Sequence, residues 1–379
     1  SDLQNIMASH KAERCYKKDR FMSILPMAHA YEMAIGCLYP MYVGACVYYL
    51  SKPASPSVLM PAMKKIRPTV MCAVPLIIEK VYRKSIVPTV THSRTLTWMW
   101  KKLPWIFYRL VGGRMYKSFG GKLHFFGVGG SKLDPVVEAF LKKCHFPYAI
   151  GYGLTECAPL VCNAMVGRTA VGSIGIPSYK VEVRLDNVNP DTGEGEIVCR
   201  GDNVMLGYYK NPKLTAQVID HNGWLHTGDT GELTPEGLLK ITGRVKALFK
   251  TSLGKYINPE LIETACTQSA LIENIVVAGE NQRYPVAIIQ PNQTALEQLA
   301  QTLNISYNSF TELCNNKDII KAIRQEIEQL TSSFADYEKI QKFTLTPDTW
   351  DFSNYISPTL KVKRQKVIKH YQDAILGMY

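Results

Sequence analysis

Short apolar runs that alternate with helix-length segments constrain this chain most, because strands that feed helices bury their apolar faces only as packed layers. Thr69 to Val74 precedes the helical pattern Pro75 to Lys84, and Leu123 to Phe126 precedes Pro135 to Lys143. Sustained to about Glu156, that alternation predicts an α/β layer architecture. From Gly172 to Gly243 the strands shorten between turn signals at Asn189-Pro190-Asp191, Asp220-His221-Asn222-Gly223 and Pro235-Glu236-Gly237. This stretch reads as a small β-barrel or meander. Beyond Lys246 the pattern becomes α+β, with Pro259 to Cys266 helical and Ile275 to Ala278 and Pro285 to Gln290 strand-like. Two more helices are expected near Ala295 to Leu303 and Asp318 to Thr331. The predicted division is therefore 1–245, with the β-barrel at about 172–243, and 246–379.

A chain of 379 residues is ample for two or three domains, and 46% hydrophobic with 20% charged residues describes an ordinary soluble globular protein. Met33 to Leu50 carries no charge and is just long enough to cross a bilayer, but Gly36, Pro40 and Gly44 interrupt it. A buried helix to near Met41 and a strand from Ala45 to Leu50 fit it better. Ser1 to Arg20 is polar and mixed in charge, unlike a secretory leader. Ten cysteines at irregular spacings, with no CxxC pair or metal pattern, imply reduced thiols in the cytoplasm.

The net charge of +12 is unevenly placed. Between Lys80 and Lys132 no acid occurs, while Arg83, Lys84, Arg94, Lys101, Lys102, Arg109, Arg114 and Lys117 accumulate among Trp98, Trp100, Trp105, Phe107 and Tyr108. Two readings stand level. The region 83–117 is a candidate for peripheral contact with the inner membrane face, or it is a helical hairpin with inward aromatics and solvated charges. Nucleic acid is not an expected partner, since no recognition motif accompanies the charge.

Chemistry concentrates in a few blocks. Thr227-Gly228-Asp229-Thr230-Gly231 sets an Asp in a Gly-rich tight turn, followed by Gly243-Arg244. A buried Asp there is a good acceptor for a pair of sugar hydroxyls, and a nearby Arg can hold the same ribose or its phosphate. Alone, such a block is more often a turn aspartate satisfied by its own backbone. In Tyr152-Gly153-Leu154-Thr155-Glu156 an aromatic beside glycine can stack on a purine, Thr can donate to a phosphate, and Glu can hold Mg2+. Gly127-Val128-Gly129-Gly130-Ser131-Lys132-Leu133 is a Gly-rich strand-to-helix link without the acidic residue a dinucleotide fingerprint needs.

Together, in this order, these blocks closely resemble the adenylate-forming, acyl-activating enzymes, and among them the AMP-forming long-chain fatty acyl-CoA synthetases. The resemblance also rests on Leu25-Pro26-Met27-Ala28-His29-Ala30-Tyr31-Glu32, on Val74-Pro75 to Tyr82, on Gly195 to Gly201 with Gly207-Tyr208-Tyr209, and on Ser357-Pro358-Thr359-Leu360-Lys361-Val362-Lys363-Arg364. It implies that 1–245 is the C-terminal portion of a large domain and 246–379 a small mobile one. It implies ATP, Mg2+ and coenzyme A as cofactors or co-substrates, and a fatty acid activated to acyl-AMP and passed to CoA. Carried over, Asp229 and Arg244 hold the ribose, and Gly129, Gly130, Ser131, Gly151, Tyr152, Gly153 and Ile241 complete the nucleotide site. Thr155 serves the α-phosphate and Glu156 the metal, His29 binds near the reacting carboxylate, and Lys361 is the adenylation lysine. Lys246 is the hinge of a domain swing that brings Gly254 toward pantetheine. Ala247 departs from the family, where Asp is common. The Ser/Thr/Gly-rich phosphate loop expected before the His29 block does not occur, so the chain is expected to be the C-terminal part of a longer enzyme, inactive by itself. An aryl-acid or medium-chain ligase and a non-catalytic acyl- or nucleotide-binding relative are the alternatives.

Overall fold

The computed structural model describes residues 2–51, 56–244, 248–351, 353–357 and 361–379. It divides into two compact units, one up to Thr242 and one from Gly243. Lys246 and Ala247 lie outside the described residues.

In the first unit seven strands form one sheet: β1 (Arg20–Ser23), β2 (Cys46–Tyr49), β3 (Val70–Ala73), β4 (Phe125–Gly129), β5 (Tyr148–Gly153), β6 (Leu160–Ala164) and β7 (Ile176–Pro177), in the order β2-β1-β3-β4-β5-β6-β7. The first five are parallel, β6 pairs antiparallel with β5, and β7 pairs antiparallel with β6. A parallel sheet covered on both faces needs unbroken apolar runs, and all four residues of β3 are buried. The helix Pro135–Lys143 starts sharply after β4. Asp134 accepts from the Val136 and Val137 amides, Pro135 fixes the first turn, and Arg83 holds the Asp134 carboxylate at 2.9 Å. Phe119, Phe126 and Phe146 meet edge to face beneath β4, with centroids 5.4–5.5 Å apart.

The turn-punctuated stretch forms a four-stranded sheet, with β8 (Val181–Asp186), β9 (Gly195–Gly201), β10 (Leu225–Leu233) and β11 (Leu239–Arg244) in sequential order. Met33 to Leu50 resolves into the helical segments Glu32–Leu38 and Tyr39–Val43, stopped by left-handed Gly44, and then β2. Among the described residues no helix is long and apolar enough to cross a membrane.

The second unit begins with the hairpin β12 (Phe249–Lys250) and β13 (Tyr256–Ile257), followed by β14 (Ile272–Ala278), β15 (Val286–Pro291) and β16 (Lys342–Leu345) in one sheet. Period-two alternation sorts its side chains. Ile275, Val277, Ala287 and Ile289 pack with Ile262, Leu296 and Ile323 of the helices Pro259–Cys266, Gln293–Thr302 and Lys317–Leu330. Val276, Ala278, Val286 and Ile288 face the other way, onto Trp350, Val367 and Ile375. Both faces are therefore covered.

Candidate active site

Gly129, the last residue of β4, lies in direct register with Gly151 of β5, which runs on to Gly153. The missing side chains matter here. A Cβ on Gly127 would meet the Tyr31 hydroxyl at 2.5 Å, and one on Gly153 would lie 1.8 Å from the Pro159 carbonyl oxygen. Past β5 the chain makes a single turn, Thr155–Cys157, with Thr155 exposed and Glu156 half-buried. Tyr208 donates to Glu156 Oε1 at 2.9 Å and fixes that carboxylate.

The Thr227–Gly231 segment is not the tight turn expected from its glycines. It lies within β10, where the pairing with β9 shifts register between His226 and Thr230, a bulge. Glu196 of β9 holds it there, accepting from the Gly228 amide at 3.0 Å and meeting His226 Nδ1 at 2.9 Å. Thr227 donates to the Ile197 carbonyl and accepts from the Asp229 amide, while Gly228 takes a φ of 70°. The bulge turns Asp229 inward, where it is only 4% exposed and its Oδ2 accepts from the Tyr152 hydroxyl at 2.7 Å. Burial first, and the charge of Asp229 next, push the Tyr152 phenol far above its ordinary range and keep it a donor. Tyr152, expected to face a purine, is thus packed in the core with its hydroxyl on Asp229.

Gly130 and Ser131 are exposed in the link after β4, and Lys132 Nζ reaches the Ile241 carbonyl at 3.4 Å, joining that link to β11. Exposed Arg244 closes β11. His29 is half-buried before the helical segment Glu32–Leu38, its Nδ1 accepting from the Tyr31 amide. Between that segment and the sheet lies a narrow apolar cavity of about 60 Å3, whose walls include Tyr31, Ile35, Tyr39, Phe125, Gly127 and Gly151. No single motif announces it, because its walls come from distant segments.

In the second unit, Gly254 takes a φ of 79° at the exposed tip of the β12–β13 hairpin. Lys361 is exposed, with its amide on Ser357 Oγ at 3.0 Å and its carbonyl accepting from the Ser357 amide at 2.8 Å. Arg364, three residues on, anchors this segment by donating to Glu263 at 2.5 Å and to the Val277 carbonyl. Arg364, Tyr208 and the Tyr152–Asp229 bond escape motif reading, since each acts through a partner distant in sequence. Cys15, Asp19 and His124 also converge, with His124 Nε2 2.9 Å from Asp19 Oδ1, although nothing in the cysteine spacing suggests it.

The glycine-tipped strands β4 and β5 thus meet the bulged TGD strand β10 in one unit, and a smaller α+β unit follows in the chain. The chain belongs to the AMP-binding enzyme family, which matches residues 2–209, with the family's C-terminal domain matching residues 247–379. Long-chain-fatty-acid–CoA ligase 1 of Homo sapiens is 32% identical over 386 residues, covering 95% of this chain and 54% of that protein. Long chain acyl-CoA synthetase 7, peroxisomal, of Arabidopsis thaliana is 29% identical, covering 100% and 57%. The chain thus spans little more than half the length of these relatives. In fold it is similar to the A-PCP didomain of carboxylic acid reductase from Segniliparus rugosus, solved in complex with AMP, with a TM-score of 0.77 at 22% identity over 99% of this chain and 51% of that one.

Proposed function

We propose that this chain carries acyl and nucleotide sites of an AMP-forming ligase for long-chain fatty acids. In the first half-reaction a carboxylate oxygen attacks the α-phosphorus of ATP and pyrophosphate leaves. In the second the thiol of coenzyme A attacks the acyl carbonyl and AMP leaves. The observation that carries the reading is the apolar cavity walled by Tyr31, Ile35 and Phe125, which shares Gly151 with the nucleotide strand β5.

In this reading Asp229 and Arg244 take the ribose, and Gly129, Gly130, Ser131, Gly151, Tyr152, Gly153 and Ile241 border the base. Thr155 donates to the α-phosphate, His29 lies by the reacting carboxylate, and Gly254 admits pantetheine. Lys361 counters the charge that builds during adenylation, and Lys246 is the hinge. The Glu156 carboxylate, fixed by Tyr208, is the hard oxygen donor that suits Mg2+. When bound, the ion would offset phosphate charge.

Calorimetry with non-hydrolysable acyl-adenylate sulfamates tests this. An oleoyl analogue should bind at least tenfold tighter than an octanoyl or benzoyl one, since each extra buried methylene contributes about 0.8 kcal/mol. Equal affinities would move the reading to a medium-chain or aryl ligase. Binding of none would refute both sites.

A further inference from the structure

From Lys80 to Leu133 the chain has eleven lysines and arginines and no aspartate or glutamate. The structure sorts the aromatic residues of this stretch into two sets. Trp100 stacks on Phe107 with centroids 6.1 Å apart and donates to the Tyr108 hydroxyl at 3.2 Å, and Phe107 is buried. These hold the helices Arg94–Lys102 and Pro104–Ser118 together. Trp98, Trp100 and Trp105 nevertheless stay 55%, 49% and 69% exposed, so Trp100 belongs to both sets, and Leu110 stays 52% exposed.

The outward set is interleaved with cations at helical spacing. Arg94, Trp98 and Lys102 recur every four residues on the first helix, and Trp105 and Arg109 are four apart on the second, as are Leu110 and Arg114. Arg94, Lys101, Lys102, Arg109 and Arg114 are all exposed, and the first helix has no fully buried residue. A groove beside Trp105 is edged by Arg109, Lys143 and His145. Indoles with one wet end, a leucine beside them and a ring of unopposed cations match headgroup depth in a lipid surface. Exposed tryptophans among cations would also suit a single-stranded nucleic acid, and the apolar Leu110 beside them is what favours a lipid surface.

We infer that the face formed by Arg94–Lys102 and Pro104–Ser118 docks on an anionic lipid bilayer. Trp98, Trp105 and Leu110 enter the headgroup layer, and Arg94, Lys101, Lys102, Arg109 and Arg114 meet lipid phosphates and carboxylates. This reading is independent of which acid is activated.

The test is co-sedimentation of the 379-residue chain with phosphatidylcholine vesicles, with and without phosphatidylserine. Binding should require phosphatidylserine and weaken as salt is raised. At roughly fivefold per cation, Lys101→Gln with Lys102→Gln should weaken it about 25-fold, and Arg109→Gln with Arg114→Gln by a similar factor. Trp98→Ala with Trp105→Ala should weaken it at least tenfold. All these side chains are exposed, so melting curves should match the parent. If one pair perturbs folding, the pairs on the other helix decide. No binding, equal binding to both vesicles, or variants that bind like the parent would overturn the inference. So would a single-stranded RNA that binds through Lys101 and Lys102 while vesicles do not.

Discussion

Removing the Tyr152 hydroxyl isolates the bond that sets Asp229. Tyr152→Phe keeps the ring in the core and deletes only the donor 2.7 Å from Asp229 Oδ2. Tyr152 is 7% exposed and Asp229 4%, so water cannot readily replace the lost partner. A hydrogen bond to a charged group contributes about 1.5–3 kcal/mol, and we take about 2. In a unit of this size about 2 kcal/mol lowers Tm by roughly 4–8 °C. The two units need not melt together, so the first transition should be followed by near-ultraviolet dichroism as well as calorimetry. Affinity for AMP should fall about fivefold or more, because the carboxylate loses one of the contacts that aim it. Asp229→Ala should cost about 2–4 kcal/mol of AMP affinity, and the double variant should cost less than the sum, by about 1.5 kcal/mol or more. Additive losses, or a Tyr152→Phe variant with parental Tm and AMP affinity, would refute the coupling and remove the structural support for the ribose assignment.

Burial pushes the Glu32 carboxyl up to about 7, against the opposing influence of Ser23. A carboxyl raised in the folded state costs stability as pH rises from its ordinary 4.5 through about 7, so Glu32→Gln should raise the Tm of the first unit near pH 8 and leave it unchanged near pH 4. Adjacent glycines of the helix Pro104–Ser118 should respond oppositely: Gly113→Ala, with nothing within 4 Å of the added Cβ, should stabilise by about 0.5–1 kcal/mol. Gly112→Ala, whose Cβ would lie 2.7 Å from that of Cys144, should lower the same Tm. Arg364→Ala leaves Glu263 with the Val277 amide but without its cationic partner and should cost the second unit about 2–3 kcal/mol in urea unfolding, with Arg364→Lys recovering part of it.

Where local chemistry decides the structure, the residues were readable. The helix Pro259–Cys266 is where its proline start and apolar spacing put it, and the switch from layered α/β to antiparallel strands follows the turn residues. Thr227–Gly231 misleads because glycine and threonine specify permissiveness, not direction. Glu196, on another strand, supplies the acceptor that keeps the segment extended, and no local window contains it. The same distance hides what aims the candidate site. Tyr152 and Asp229 are 77 residues apart and Arg364 and Glu263 are 101 apart, so each motif shows a functional group without its support. Arg364 makes the difference concrete. Read in sequence, it is one more cation in a solvated cluster around Lys361. In the fold its guanidinium is tied to a helix and a strand, which fixes the start of the helix Arg364–His370 while Lys361 stays exposed three residues before it. For the proposed role of Lys361, such a rigid root would leave only the flexible stem to be ordered when its charge is brought to a phosphate.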